Sequence, residues 1–255
     1  MKKRALVLFT LLLFILSGVV LQVYRLSDAY LSQAADQQGS VTVKVANSRG
    51  TIYDARLRPL TNAGEEYRLS VTPSPEAIAA LSGMLDEEQL AAVSERLQSG
   101  KPAVVTLPEI PANLEGSLLF KVPVRYGGRL LAPHLLGYMD GDGLHGLTGV
   151  ELAFDEYLNS CGGQASVTYS VDAMGKPLQG IAPQVVNTLA DAKAGVVLTI
   201  DQDIQKIAEE AAKRYMTKGA VVVMEPATGR IAAMVSLPDF QPGTVADSLD
   251  AADSP

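Results

Sequence analysis

The chain has 255 residues, 47% of them hydrophobic, and 21 basic against 28 acidic side chains give a net charge of −7. That content supports one or two cores beyond any targeting segment, and the acidic balance argues against nucleic acid as a partner. A single cysteine, Cys161, excludes an intrachain disulfide, and two histidines, His134 and His145, without an H-E-x-x-H or cysteine cluster argue against a zinc site.

Lys2, Lys3 and Arg4 precede Ala5 to Val23, a run of 19 residues without a charge. At about 1.5 Å per residue a helix of that length spans most of a bilayer's ~30 Å hydrocarbon layer. The basic cluster predicts a cytoplasmic N-terminus and an external body. Without the three basic residues of the first four, 18 basic face 28 acidic residues, so that body carries about −10. A cleaved signal peptide is the competing reading, but its apolar region spans about 7–15 residues and no A-x-A-like site closes this run, which favours an uncleaved anchor. Leu21 to Gln38 is expected to prolong the helix outward, with Leu26, Tyr30, Leu31 and Ala34 on one side. The expected order is a cytoplasmic tail at 1–4, a transmembrane anchor at 5–23 and a juxtamembrane helix at 24–40.

Val41 to Val45 alternates as a half-buried strand does. It runs into Asn47-Ser48-Arg49-Gly50-Thr51-Ile52-Tyr53-Asp54, a turn region in which Gly50 relaxes the backbone and Asp54 starts the next turn. Pro75 to Gln98 predicts helix with a break at Gly83, and Asp86-Glu87-Glu88 places acid in the first turn of the second piece. Ala103 to Leu107 and Leu118 to Val124 predict strands. Gly141, Gly143 and Gly146 spell G-x-G-x-x-G, but the strand that a dinucleotide site needs does not precede them. Asp140, Asp142 and Glu151 have calcium-loop spacing, which Leu144 and His145 spoil. Ala165 to Val171 alternates as a strand, and Asp172 to Lys176 makes a turn.

Val196 to Ile200 is a β-branched apolar run, Asp201 is placed to cap a following helix, and Ile204, Ile207, Ala208, Ala211 and Tyr215 recur at helical spacing. Lys213, Arg214 and Lys218 suit the helix's C-terminal end, and Gly219 is expected to stop it. Ala220 to Met224 and Arg230 to Val235, joined through Glu225-Pro226-Ala227-Thr228-Gly229, predict a β-hairpin.

Seven features in order resemble the class B penicillin-binding proteins of division or sporulation type. They are the anchor, Leu21-Gln22-Val23, Arg49-Gly50-x-Ile52-x-Asp54, Gly146-x-x-Gly149-x-Glu151 with Phe154 to Leu158, Asp172-x-x-Gly175, LTIDQDIQ with Asp201, and EPATGRI with Gly229 ahead of Ser236-Leu237-Pro238. His134-x-x-Gly137 fits as well. The family usually continues Asp54 with Arg, Asn and Gly, where this chain has Ala55, Arg56 and Leu57. The resemblance implies an α+β fold: a transmembrane helix, a mixed pedestal or dimerisation-type domain over 41–190, and over 191–255 the opening strand, helix and hairpin of a serine transpeptidase or β-lactamase-like domain. It further implies Glu151 at the start of a helix joining the two parts. The implied activity is D,D-transpeptidation of peptidoglycan stem peptides through a serine acyl-enzyme that β-lactams also acylate. The implied partners are a membrane-embedded glycan polymerase and other cell-wall synthesis proteins, and no cofactor or metal is implied.

The chemistry needs a serine with lysine three residues on. No serine of the 255 residues has one, so no catalytic residue is assigned, and the chain by itself is expected to be inactive. Two hypotheses follow: the N-terminal part of a transpeptidase, or a non-enzymatic scaffold module of the cell-wall synthesis complex.

Overall fold

The structure, a computed structural model, describes residues 14, 16–22, 39–107, 117–178, 180–191 and 194–242. Residues 14 and 16–22 are helical and exposed. Among the described residues no helix is long and apolar enough to cross a membrane. Most of the expected anchor at 5–23 and of the juxtamembrane helix at 24–40 lies outside the described residues.

The chain enters its folded part through β1 (Ser40–Asn47), followed by β2 (Thr51–Tyr53) and β3 (Gly64–Val71). Two helices come next, α1 (Pro75–Leu81) and α2 (Glu87–Gln98), then β4 (Ala103–Leu107) and β5 (Ser117–Val124). The expected break at Gly83 is real. Ser74 caps α1 by accepting from the Ala77 N–H, and Asp86 caps α2 by accepting from the Gln89 N–H, so each helix has its own start signal. Asp86 therefore sits just outside the first turn in which the sequence pattern placed it.

Three short helices, α3 (Pro133–Leu136), α4 (Gly149–Ala153) and α5 (Asp155–Ser160), precede β6 (Gln164–Ser170), β7 (Gln184–Asn187) and β8 (Gly195–Val197). The chain then forms α6 (Gln202–Tyr215), β9 (Gly219–Met224) and β10 (Ile231–Leu237).

Strand order explains where the cores lie. One antiparallel sheet runs β1-β6-β7 and another runs β4-β3-β5. They pack face to face through Val43, Val45, Phe120, Val122, Val167 and Tyr169. The period-2 alternation of β4 sends Ala103, Val105 and Leu107 to the other face, where Leu81 of α1 and Leu97 of α2 are buried against them. Burial of such a leucine contributes about 1.5–3 kcal/mol. Polar atoms inside this sandwich are paired: the Ser70 and Tyr169 hydroxyls lie 2.8 Å apart, and Arg68 donates to the Val45 carbonyl at 2.8 Å. Burial pushes the Tyr169 phenol above its ordinary pKa.

A third unit is the hairpin of β9 and β10, antiparallel as the sequence predicts, with α6 packed over Ala233 and Val235. Two boundaries differ from expectation. The strand predicted over 196–200 is β8 alone, because after Leu198 the chain changes partner. The Leu198 N–H still donates to the Tyr53 carbonyl, whereas the Thr199 hydroxyl donates to Ile231 and the Asp201 N–H to Ala232. Helix α6 ends at Tyr215, short of Gly219, which instead begins β9.

Candidate functional site

The short parallel pair β2–β8 sets Thr51, Ile52 and Tyr53 opposite Gly195, Val196 and Val197. Ile52 is fully buried there among Leu130, Leu136, Val150 and Leu158. Charged residues crowd both ends of this pair.

At the β2 N-terminal end lies a buried ion cluster. Glu151 is at the start of α4, as expected, and is wholly buried. One of its oxygens accepts from Arg125 Nε at 2.7 Å and from the Tyr126 hydroxyl at 3.1 Å. The other faces Arg49 Nε at 3.4 Å, near enough for an ion pair but not aligned for a hydrogen bond. Arg49 also pairs with Asp155 at 2.8 Å and donates to the Leu144 carbonyl at 2.9 Å and the Asn159 amide oxygen at 2.7 Å. Arg125 donates to the Gly50 carbonyl at 2.6 Å, tying the glycine of the R-G-x-I-x-D segment to the acid of G-x-x-G-x-E. Burial, then the negative charge of Glu151, pushes the Tyr126 phenol well above its ordinary pKa. The Asp155 carboxyl is held down to about 2, chiefly by the Gly146 N–H that donates to it at 2.7 Å, and further by Arg49 and His145 against the opposing effect of burial.

Two glycines permit this packing. A Cβ on Gly146 would sit 2.2 Å from the Glu151 carbonyl carbon, and Gly149 has φ +60° with a would-be Cβ 2.5 Å from the Leu135 carbonyl oxygen. The G-x-x-G spacing thus lets one loop pass directly under another. The calcium-like spacing has a different use: Asp140 accepts the Leu144 and His145 N–H groups, and those backbone bonds depress its carboxyl.

At the other end, Asp54 and Asp201 share one arginine. Asp54 is wholly buried and accepts the Arg56 and Arg58 N–H groups and the Arg58 Nε at 2.8–2.9 Å. Its second oxygen accepts the Gln202 N–H at 3.2 Å. Asp201 caps α6, as expected, by accepting from the Asp203 and Ile204 N–H groups, and it pairs with Arg56 at 2.8 Å and Arg58 at 3.2 Å. Burial alone would raise both carboxyls. The donated N–H bonds and the arginines outweigh it and hold both below the usual carboxylate range. In the turn between Asp54 and Arg58, Leu57 stands where the family's glycine is expected, and it adopts the left-handed conformation at φ +60°.

A third cluster fastens α6 to its surroundings. Gln205, fully buried, both donates to and accepts from the Met234 backbone at 2.8 Å. Glu209 accepts from Arg129 at 2.7 Å and from the Ala132 N–H at 2.8 Å. His134 bonds the Pro238 carbonyl at 2.9 Å, and its ring and that of Tyr138 meet Phe240 edge-on at 4.9 and 5.7 Å.

The structure therefore brings Arg49, Gly50, Gly146, Gly149 and Glu151 into one cluster and Asp54 and Asp201 into another, with Ile52 in the core between them. Gly229 stands apart: at φ +74° it completes the hairpin turn, its N–H donating to Glu225. Arg125, Arg58, Asp155, Gln205 and Glu209 complete these clusters without having been singled out in sequence as site residues. These acids are engaged by guanidinium or N–H donors, so the clusters act as clamps between the elements they join. Among the described residues no group of three or more His, Cys, Asp or Glu side chains is placed to hold a metal ion.

No family model matches the chain. Whole-chain relatives do. It is 27% identical to a peptidoglycan D,D-transpeptidase FtsI homolog of Chlorokybus atmophyticus over 92% of its own length, and 25% identical to the peptidoglycan D,D-transpeptidase MrdA of Escherichia coli K12 over 98%. The chain is a homologue of the class B penicillin-binding proteins. A 116-residue stretch is 34% identical to the stage V sporulation protein D of Bacillus subtilis. The fold is similar to that of a penicillin-binding protein (PBP2) from Helicobacter pylori, with a TM-score of 0.51 and 17% identity over 84% of this chain and 48% of that one. This penicillin-binding protein homologue spans 37% and 45% of the lengths of the first two relatives.

Proposed function

We propose that the chain is the membrane-anchored pedestal of a peptidoglycan-synthesising class B penicillin-binding protein, joined to the opening strand, helix and hairpin of its transpeptidase domain. The observation that carries this reading is the joint itself. The R-G-x-I-x-D segment pairs, as β2, with β8, the strand that leads directly into LTID, and Asp54 and Asp201 share Arg58, in a chain whose relatives are named peptidoglycan D,D-transpeptidases. The anchor is the apolar run Ala5 to Val23, the body is extracytoplasmic, and the partners are a membrane-embedded glycan polymerase and other cell-wall synthesis proteins. Cross-linking of stem peptides belongs to the whole protein, through a serine acyl-enzyme that residues 1–255 do not supply.

Fluorescent penicillin labelling tests this. The purified chain is expected to take no label, whereas the product of a reading frame extended through a downstream S-x-x-K is expected to label at one serine. Covalent labelling of residues 1–255 would refute the assignment. An intact chromosomal frame with no S-x-x-K downstream would favour the scaffold module.

A further inference from the structure

The end of the two-sheet unit at which β1 begins is apolar and exposed. The Val171 N–H donates to the Gly39 carbonyl at 2.7 Å and the Leu178 N–H to the Ser170 carbonyl at 2.8 Å. The connection after β6 is thereby held against the point where the chain enters β1. In it Met174 is 78% exposed, Ile181 53% and Leu178 42%. The one acid of this turn, Asp172, folds inward onto the Met174 and Lys176 N–H groups at 2.8 and 2.9 Å. Beside the loop opens a groove of about 940 Å³, walled by Pro73, Ile78, Leu118, Pro177, Leu178 and Ile181, with Glu76 and Lys176 its only charged side chains among the described residues. A contiguous apolar surface of this kind marks an interaction site.

Its position selects the occupant. The chain enters β1 from residues 23–38, a tether of 16 residues that leads back to the apolar helical residues 16–22. Such a tether reaches about 24 Å as a helix and about 53 Å fully extended. The apolar end is thus the end held nearest the anchor, and the acidic clusters of the joint lie at the opposite end of β1.

We infer that this end of the pedestal contacts the bilayer: Met174, Leu178 and Ile181 enter the headgroup region of the membrane that holds the anchor. Exposed Lys176, whose stem lies over Gly100, meets lipid phosphates there. The inference rests on the anchored reading given above.

The full chain, reconstituted in vesicles of phosphatidylcholine and phosphatidylglycerol, tests it. In a Cys161→Ser background, single thiols from Met174→Cys, Ile181→Cys and, as a distant exposed control, Lys206→Cys each carry a polarity-sensitive fluorophore. Blue-shifted emission is expected at 174 and 181 but not at 206. Because an interfacial side chain enters only about 5–10 Å, spin-labelled lipids should quench both probes about twofold more when labelled high on the acyl chain than when labelled deep. A chain that stays with the vesicles while probes 174 and 181 behave like 206 overturns the inference and leaves the anchor standing. Shielding that depends on protein concentration, without lipid quenching, overturns it in favour of a second copy. A chain that washes off the vesicles overturns the anchored reading and the inference with it.

Discussion

Replacing Glu151 by glutamine removes the carboxylate that faces both Arg125 and Arg49. Its side chain is 0% exposed, and those of the two arginines are 9% and 4% exposed, so the loss cannot be made good by water. Arg49 keeps Asp155 at 2.8 Å, whereas Arg125 is left with neutral acceptors, Gly50 and Asn62. One buried guanidinium is therefore stranded. Attraction at this range is about 4 kcal/mol at an effective dielectric near 20, and stranding a buried charge typically costs about 3–5 kcal/mol. We expect a loss of about 3 kcal/mol, a large part of the ~5–15 kcal/mol that holds a domain folded. Urea unfolding followed by circular dichroism and tyrosine fluorescence measures it, since the chain has no tryptophan. Adding Arg125→Met removes the stranded charge and should recover more than half of the loss in a double-mutant cycle. A Glu151→Gln loss below about 1 kcal/mol, or a double variant no better than the single, would refute this account of the cluster.

Leu57→Gly should stabilise the chain by about 0.5–1 kcal/mol, because a left-handed leucine costs about 1–2 kcal/mol and the added freedom of glycine in the unfolded chain offsets only part of that; a rise in melting temperature checks it. Gln205→Leu strands both the N–H and the carbonyl of Met234 and should cost about 2–4 kcal/mol, read as a lowered urea midpoint. Asp155 gives a pH signature. A carboxyl depressed when folded binds protons more readily when unfolded, so its contribution is complete above about pH 4 and disappears as pH falls towards 2. Stability measured from pH 6 to pH 2.5 should fall less steeply in Asp155→Asn than in the parent.

Local signals were legible and meetings were not. The period-2 runs of β1 and β6 located two of the sandwich strands, and Asp201 announced its helix because a cap acts on the next three residues. Arg49 and Glu151 each stood out within a motif, but nothing near either one says that they touch, since their contact spans about a hundred residues. Arg125 carried one faint signal, a cation closing an apolar strand ahead of Tyr126 and two glycines. The strand predicted at 196–200 was overlong because composition cannot show a chain trading β2 for β10 in mid-run. Leu57 was visible as a departure from the family's glycine, yet only the backbone shows that the turn kept its left-handed shape.

The parallel register of β2 with β8 also orders events in time. The two strands are separated by about 140 residues, so their closure costs more chain entropy than any hairpin and cannot begin until everything between them has been made. A newly made chain completes its Arg49 to Asp54 segment early, but the edge of β2 that receives β8 has no strand partner until residues 195–197 have been made. The Arg58 clamp on Asp54 and Asp201 can then close only after every strand of the two sheets has been made. The joint is thereby a late step in assembly, reached only when the strand that seats the following helix and hairpin has been made.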